Sequence, residues 1–149
     1  MKEYHYTGCG LDNVIIYGAD FLTDDGGDEV LVIPAVNRLH RVIAEGIVRR
    51  PGRMTGKELR FLRTEMGMTP AELAALLHRD AQSVARWEKG RVEMDGNADT
   101  LMRLLAAEHL DLKLREGAAE LSRRCADTPP SNAIRIRADD DRYELMEAA

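Results

Sequence analysis

Cysteine is scarce in this sequence: there are two, Cys9 and Cys125, near opposite ends, with no Cys-x-x-Cys pair. That excludes a disulfide framework, and both read as free thiols of a reducing compartment. No apolar run approaches the ~20 residues that cross a bilayer. The opening Met1-Lys2-Glu3-Tyr4-His5 lacks the long apolar stretch of a secretory leader. The expectation is a soluble, cytoplasmic protein with no membrane role. Catalytic signatures are missing as well: no Gly-x-Ser-x-Gly, no His-Glu-x-x-His, and no Gly-x-x-x-x-Gly-Lys-Ser/Thr phosphate cradle. His5, Cys9, Asp12 and His40 are never paired at the close spacing a zinc site uses. No metal, no cofactor and no enzymatic activity are expected.

What is present is a core-forming chain of 149 residues, 44% hydrophobic and 32% charged. That is the size of one domain, or one small domain with appendages. The net charge of −5 argues, at face value, against a nucleic-acid partner. The average hides the arrangement. Residues 1–37 hold one Lys or Arg against seven Asp or Glu, residues 38–91 twelve against six, and residues 92–149 eight against thirteen. A basic centre lies between acidic flanks, and a polyanion reads the field within ~8–10 Å rather than the global sum.

The first third reads as β. Val14-Ile15-Ile16-Tyr17 and Val30-Leu31-Val32-Ile33 are compact apolar runs. The segment between them ends in Asp24-Asp25-Gly26-Gly27-Asp28, which is turn chemistry. A β-hairpin with a long acidic connection is expected, with Tyr4, Tyr6 and Tyr17 packing in the small sheet. The acidic loop 24–29 lacks the alternating ligands of a calcium loop and reads as a solvated turn. After Pro34, the three- and four-residue spacing of Val36, Leu39, Ile43 and Ile47 predicts a helix from about Pro34 to Arg49, stopped by Pro51-Gly52. The run Arg49-Arg50-Pro51-Gly52-Arg53 reads as a solvated linker, or as an arm to nucleic acid.

From Thr55 to His109 four helices are punctuated clearly. Thr55-Gly-Lys-Glu58 and Thr69-Pro-Ala-Glu72 are capping boxes, the second with proline at the first helical position. Leu59, Leu62 and Met66 face inward on the first helix, and Leu73, Ala74 and Leu77 on the second. A turn, His78-Arg79-Asp80, leads to a third helix with Val84 and Trp87 inward, closed by Gly90. Asp95 or Asn97 starts the fourth, with Leu101, Leu104 and Leu105 inward. Trp87, the only tryptophan, reads as core, and Glu88 as an internal ion-pair partner. Further on, Lys113–Arg124 reads as a helix weakened by Gly117, residues 128–132 as a linker, and 134–145 as a small terminal hairpin that must dock on something to be stable.

Two short helices joined by a tight turn and followed by a capped helix make a helix-turn-helix pattern. The stretch Met68-Thr-Pro-Ala-Glu-Leu-Ala74 with Ala81-Gln-Ser-Val-Ala-Arg-Trp-Glu-Lys-Gly90 resembles the XRE, phage-repressor-like (lambda-repressor-like) family of transcriptional regulators. The resemblance spans roughly residues 54–109. The whole chain is similar to MqsA-type antitoxins without their zinc-finger cysteines, since only Cys9 stands there. The implied fold class is α+β: a small N-terminal β-hairpin plus helix over residues 1–50, serving as a dimerisation or partner segment, an all-α helix-turn-helix domain over 54–109, and a C-terminal helix and terminal hairpin over 110–149.

Carried over by position, the base-contacting residues are Ala81, Gln82, Ser83 and Arg86. Gln suits adenine, Arg suits guanine, and a methyl suits thymine. Lys57, Thr69, Arg79, Lys89 and Arg91 are assigned to phosphate. The chain departs from the family at His78, where glycine is usual in the turn, and at Pro70, which has no N–H to give a phosphate. The resemblance implies a homodimeric repressor of its own gene bound to double-stranded DNA. The alternative is an antitoxin-like module that sequesters a toxin through its N-terminal segment. A catalytic use of the same scaffold would have to draw its site from the residues after Arg91, which show no recognisable match.

Overall fold

The computed structural model describes residues 2–129 and 131–146. Met1 of the N-terminal stretch, Pro130 of the expected linker and residues 147–149 of the expected tail lie outside them. The protein is α+β, and its chain divides into two compact units: residues 1–43 with 131–149, and residues 44–130. The second unit is therefore inserted, in sequence, within the first.

Unit 1 is built on a four-stranded sheet in the order β1 (Glu3–Tyr6), β2 (Val14–Tyr17), β5 (Ile134–Asp139), β6 (Arg142–Leu145). β1 and β2 are antiparallel, β2 and β5 parallel, β5 and β6 antiparallel. A separate two-stranded ribbon pairs β3 (Asp20–Thr23) with β4 (Glu29–Val32).

The expected hairpin between 14–17 and 30–33 does not form. Val14 and Ile16 are fully buried, and β2 has partners on both edges, Tyr6↔Val14 on one side and Val14↔Ile134 on the other. The Val30 run pairs instead with Asp20–Thr23 through the acidic turn. There Asp24 Oδ1 accepts from the amides of Gly26 at 3.0 Å and Asp28 at 2.9 Å, and Gly27 takes a positive φ of 86°. The Asp-Gly-Gly signal is thus a tight turn between short strands, not the end of a long connection.

The terminal hairpin forms, and it docks by inserting β5 beside β2. Ile134, Ile136 and Ala138 alternate inward to match Val14 and Ile16. Helix α1 (Val36–Arg49) begins in this unit, with Leu39 and Ile43 buried, while Val36 is 42% exposed. Tyr6 packs at the end of β1 with its hydroxyl 3.1 Å from His40 Nε2, and Tyr4 meets Phe21 edge-on.

Unit 2 holds the rest of α1 and five helices: α2 (Gly56–Glu65), α3 (Pro70–Leu77), α4 (Ala81–Glu88), α5 (Gly96–His109) and α6 (Ala118–Arg124). Both capping boxes are made in full, Thr55 with Glu58 and Thr69 with Glu72. Leu59, Leu62, Leu73, Val84 and Met102 are completely buried, joined by Phe61, Leu77 and Trp87.

The inner face of α5 differs from expectation. Leu101, Leu104 and Leu105 are only partly buried, and the positions facing inward are Ala98, Asp99, Met102, Arg103 and Ala106. The reason is a buried ion pair. Arg103 Nε meets Asp99 Oδ1 at 2.6 Å, and the other guanidinium nitrogens donate to the carbonyls of Val48, Arg50 and Gly52. Asp99 Oδ2 in turn accepts the Met54 amide at 2.8 Å. Each buried charge is therefore matched by hydrogen bonds, as burial demands.

This network also corrects the reading of 49–53. The segment is neither a free arm nor a solvated linker. Its carbonyls are held by Arg103, Arg49 pairs with Glu45 and Glu116, and Arg50 pairs with the fully buried Glu58.

Candidate nucleic-acid interface

α3 and α4 are each started, and α3 is stopped, by chemistry legible in the chain. Thr69 Oγ1 accepts the Glu72 amide and Glu72 Oε1 accepts the Thr69 amide, both at 3.1 Å. At the far end of α3, His78 adopts the left-handed conformation (φ 56°, ψ 42°) and the Arg79 amide returns to the Ala74 carbonyl at 2.9 Å. This is the helix-ending geometry in which glycine is the usual occupant. Asp80 then caps α4, its Oδ1 accepting the Ser83 amide at 2.7 Å. The cap bonds hold both the Glu72 and the Asp80 carboxyl below their usual ranges, through Thr69 and Ser83 respectively.

α4 presents two faces. Val84 and Trp87 are buried beneath it, while Ala81, Gln82, Arg86 and, at the C-cap, Lys89 are exposed, and Ser83 is half-buried. At ~100° per residue, Gln82, Arg86 and Lys89 fall within an arc of roughly 60°, away from Val84 and Trp87. Among the described residues, neither Arg86, Lys89 nor Arg91 makes an ion pair. The helix is seated by Glu88, which takes Arg63 Nε at 2.6 Å and Nη2 at 3.0 Å, while Arg63 Nη1 reaches the Met68 carbonyl at 2.9 Å. The Glu88 hydrogen bond raises the Arg63 pKa further.

The residues assigned to phosphate are arranged unequally. Lys89 and Arg91 are exposed just at and past the end of α4. Thr69 is exposed at the start of α3, though its hydroxyl is engaged in the cap. Arg79 leans on its own unit, 3.0 Å from Asp95 and 5.4 Å above the Trp87 ring. Lys57 lies exposed in the first turn of α2.

One residue that matters here carries no such assignment. A Cβ on Gly56 would lie 2.3 Å from the Trp87 carbonyl oxygen and 2.6 Å from that of Glu88. Only glycine lets the start of α2 approach the end of α4 this closely. The signal available was a glycine directly after a capping threonine, at a position where most helices take a side chain.

Away from this face, His5 Nε2 is hydrogen-bonded to the Asp12 carbonyl and His40 to Tyr6. Among the described residues no group of three or more His, Cys, Asp and Glu side chains could hold a metal ion. Compared with family models, curated proteins and solved structures, the chain matches none.

Proposed function

We propose that this chain is a sequence-specific DNA-binding transcriptional regulator whose α3–turn–α4 segment acts as a helix-turn-helix. The observation that carries the reading is the stripe of Gln82, Arg86 and Lys89 along a short, capped helix whose opposite side is anchored by Val84 and Trp87. In a major groove ~12 Å wide, Gln82 presents a donor–acceptor pair to adenine and Arg86 a fork to guanine, with Ala81 and Ser83 alongside. Lys89 and Arg91 take phosphate at the helix end, Thr69 and Lys57 flank it, and Arg79 serves mainly to brace Trp87.

The internal pairing of the basic centre shapes the mechanism. Arg49, Arg50 and Arg63 are held by Glu116, Glu58 and Glu88. Few cations are left for the DNA backbone, so one module binds weakly. A homodimer on a pseudo-palindrome supplies the missing affinity and specificity. Repression of its own gene is the regulatory output we assign.

The test is a fluorescence-anisotropy titration of the full chain against duplex DNA from upstream of its own gene. An unrelated duplex serves as control, at two salt concentrations. Tighter, salt-dependent binding to the upstream duplex is expected. Equal, weak binding to both duplexes would sink the reading.

A second reading has its own observation. The β3–β4 ribbon exposes Leu22 (64%) and Val30 (45%), register partners, beside Asp20, Asp24, Asp25, Asp28 and Glu29. An apolar pair in an acidic surround suits a basic protein, as an antitoxin-like sequestering module would require. A pull-down that recovers one basic partner, abolished by Leu22→Asp, would favour it.

A further inference from the structure

Unit 1 contains a cleft of about 520 Å³ lined by Asn37, Arg38, Arg41, Val42, Arg142 and Tyr143. The first four come from the opening turns of α1 and the last two from β6, so a helix and a strand far apart in sequence assemble one basic wall. The size lies within the ~300–1,000 Å³ common to small-molecule sites.

The charges in the cleft are unbalanced. Arg38 is engaged, its Nη1 on Asp141 Oδ2 at 3.0 Å. Arg41 and Arg142 are exposed and make no ion pair or side-chain hydrogen bond among the described residues. Asp139 is the register partner of Arg142 across the β5–β6 hairpin, yet the two are not bonded. The lining itself thus holds three guanidiniums and no carboxylate, with Asp139, Asp140 and Asp141 in the adjoining turn outside it. α1 has no acidic residue in its first turn to offset its positive end. The apolar lining is Val42 and the ring of Tyr143, whose hydroxyl donates to the Pro34 carbonyl at 2.6 Å and so fixes the ring in the wall.

We propose that this cleft binds a small phosphate monoester. The phosphate dianion sits between the Arg41 and Arg142 guanidiniums, and the organic body lies against Tyr143 and Val42. A guanidinium fork matches phosphate oxygens two at a time, and a monoester carries ~1.5–2 negative charges at neutral pH, which suits a lining whose only charged side chains are arginines. A bare phosphate would leave most of the volume and the Tyr143 wall unused. The proposal is independent of what α4 reads.

Isothermal titration calorimetry of the full chain tests it, with adenosine 5′-monophosphate and phenyl phosphate as probes. Adenosine, inorganic phosphate and succinate are the comparison ligands. Arg41→Gln and Arg142→Gln are the variants, chosen because neither side chain has a partner to lose, and their unfolding midpoints should match the parent. Saturable binding of at least one monoester is expected, tighter than inorganic phosphate or succinate and absent for adenosine. Each variant should weaken it tenfold or more. Absence of saturable monoester binding, equal binding of inorganic phosphate or succinate, or unchanged affinity in both variants would overturn it. Loss of duplex-DNA affinity in the two variants, with no monoester bound by the parent, would overturn it in favour of a nucleic-acid backbone contact.

Discussion

Arg63 and Glu88 meet fork to fork across the α2–α4 contact, with Nε and Nη2 of the arginine 2.6 and 3.0 Å from the two carboxylate oxygens. Both side chains are nearly buried, at 13% and 10% exposure. A paired, largely desolvated charge contributes little net attraction, but removing one partner strands the other. Arg63→Met should therefore cost about 2–3 kcal/mol, in the range of hydrogen bonds to charged groups. Glu88→Gln, which keeps one acceptor, should cost less. Urea unfolding of the two single variants and the double variant measures this. A double variant no worse than Arg63→Met would show coupling, whereas simple additivity would refute the pairing.

Gly56 stands where a side chain has no room, against the Trp87 and Glu88 carbonyls. Backbone cannot give way as a flexible side-chain end can. Gly56→Ala should destabilise by roughly 1–3 kcal/mol, as overpacking does, despite alanine's better helix propensity. Gly117→Ala is the control, since a Cβ there meets nothing within 4 Å. Thermal unfolding of the two should separate clearly, and equal midpoints would refute the close approach.

These two relationships show what could be read from the chain and what could not. Capping boxes, the His78 turn, the Asp80 cap and the Val84–Trp87 underside are written in neighbouring residues, so local chemistry identifies them. The sheet is not. Val14 pairs with Ile134 across the whole inserted unit, and nothing in either strand's own sequence names its partner. Leu101, Leu104 and Leu105 advertised the wrong face of α5 because the buried Asp99–Arg103 pair looks, in sequence, like a solvated salt bridge at i and i+4. The stripe on α4 was legible by position, but which cations in and around it stayed clear of ion pairs depended on which carboxylates folding brought near. That spared Arg86 and Lys89 and engaged Arg63 and Arg79.

The α4 cap makes stability depend on acid. Asp80 has its folded pKa depressed by the Ser83 amide, with the Arg86 charge adding to the effect. A depressed carboxyl contributes stability that is present above its unfolded value, near ~3.9, and is lost as pH falls through the folded value. Glu72 follows the same sign through Thr69. The melting temperature should thus fall below about pH 4, and Asp80→Asn, still a capping residue, should flatten that fall. Identical pH profiles for parent and variant would remove Asp80 from the acid response.

On the proposed DNA face, Arg86 and Lys89 should fail in different ways. Both are exposed and free of ion pairs, so alanine at either position should leave the fold intact. Arg86→Ala removes a base-reading fork and should cost about 1–3 kcal/mol on the preferred duplex, relaxing preference at one base pair. Lys89→Ala removes a phosphate contact. It should weaken all duplexes alike and lower the slope of log affinity against log salt by about 0.9. Anisotropy titrations over a salt series on preferred and scrambled duplexes distinguish the two outcomes. If Arg86→Ala instead weakened every sequence equally and altered the salt slope, arginine would be a backbone contact and α4 would not be reading bases at that position.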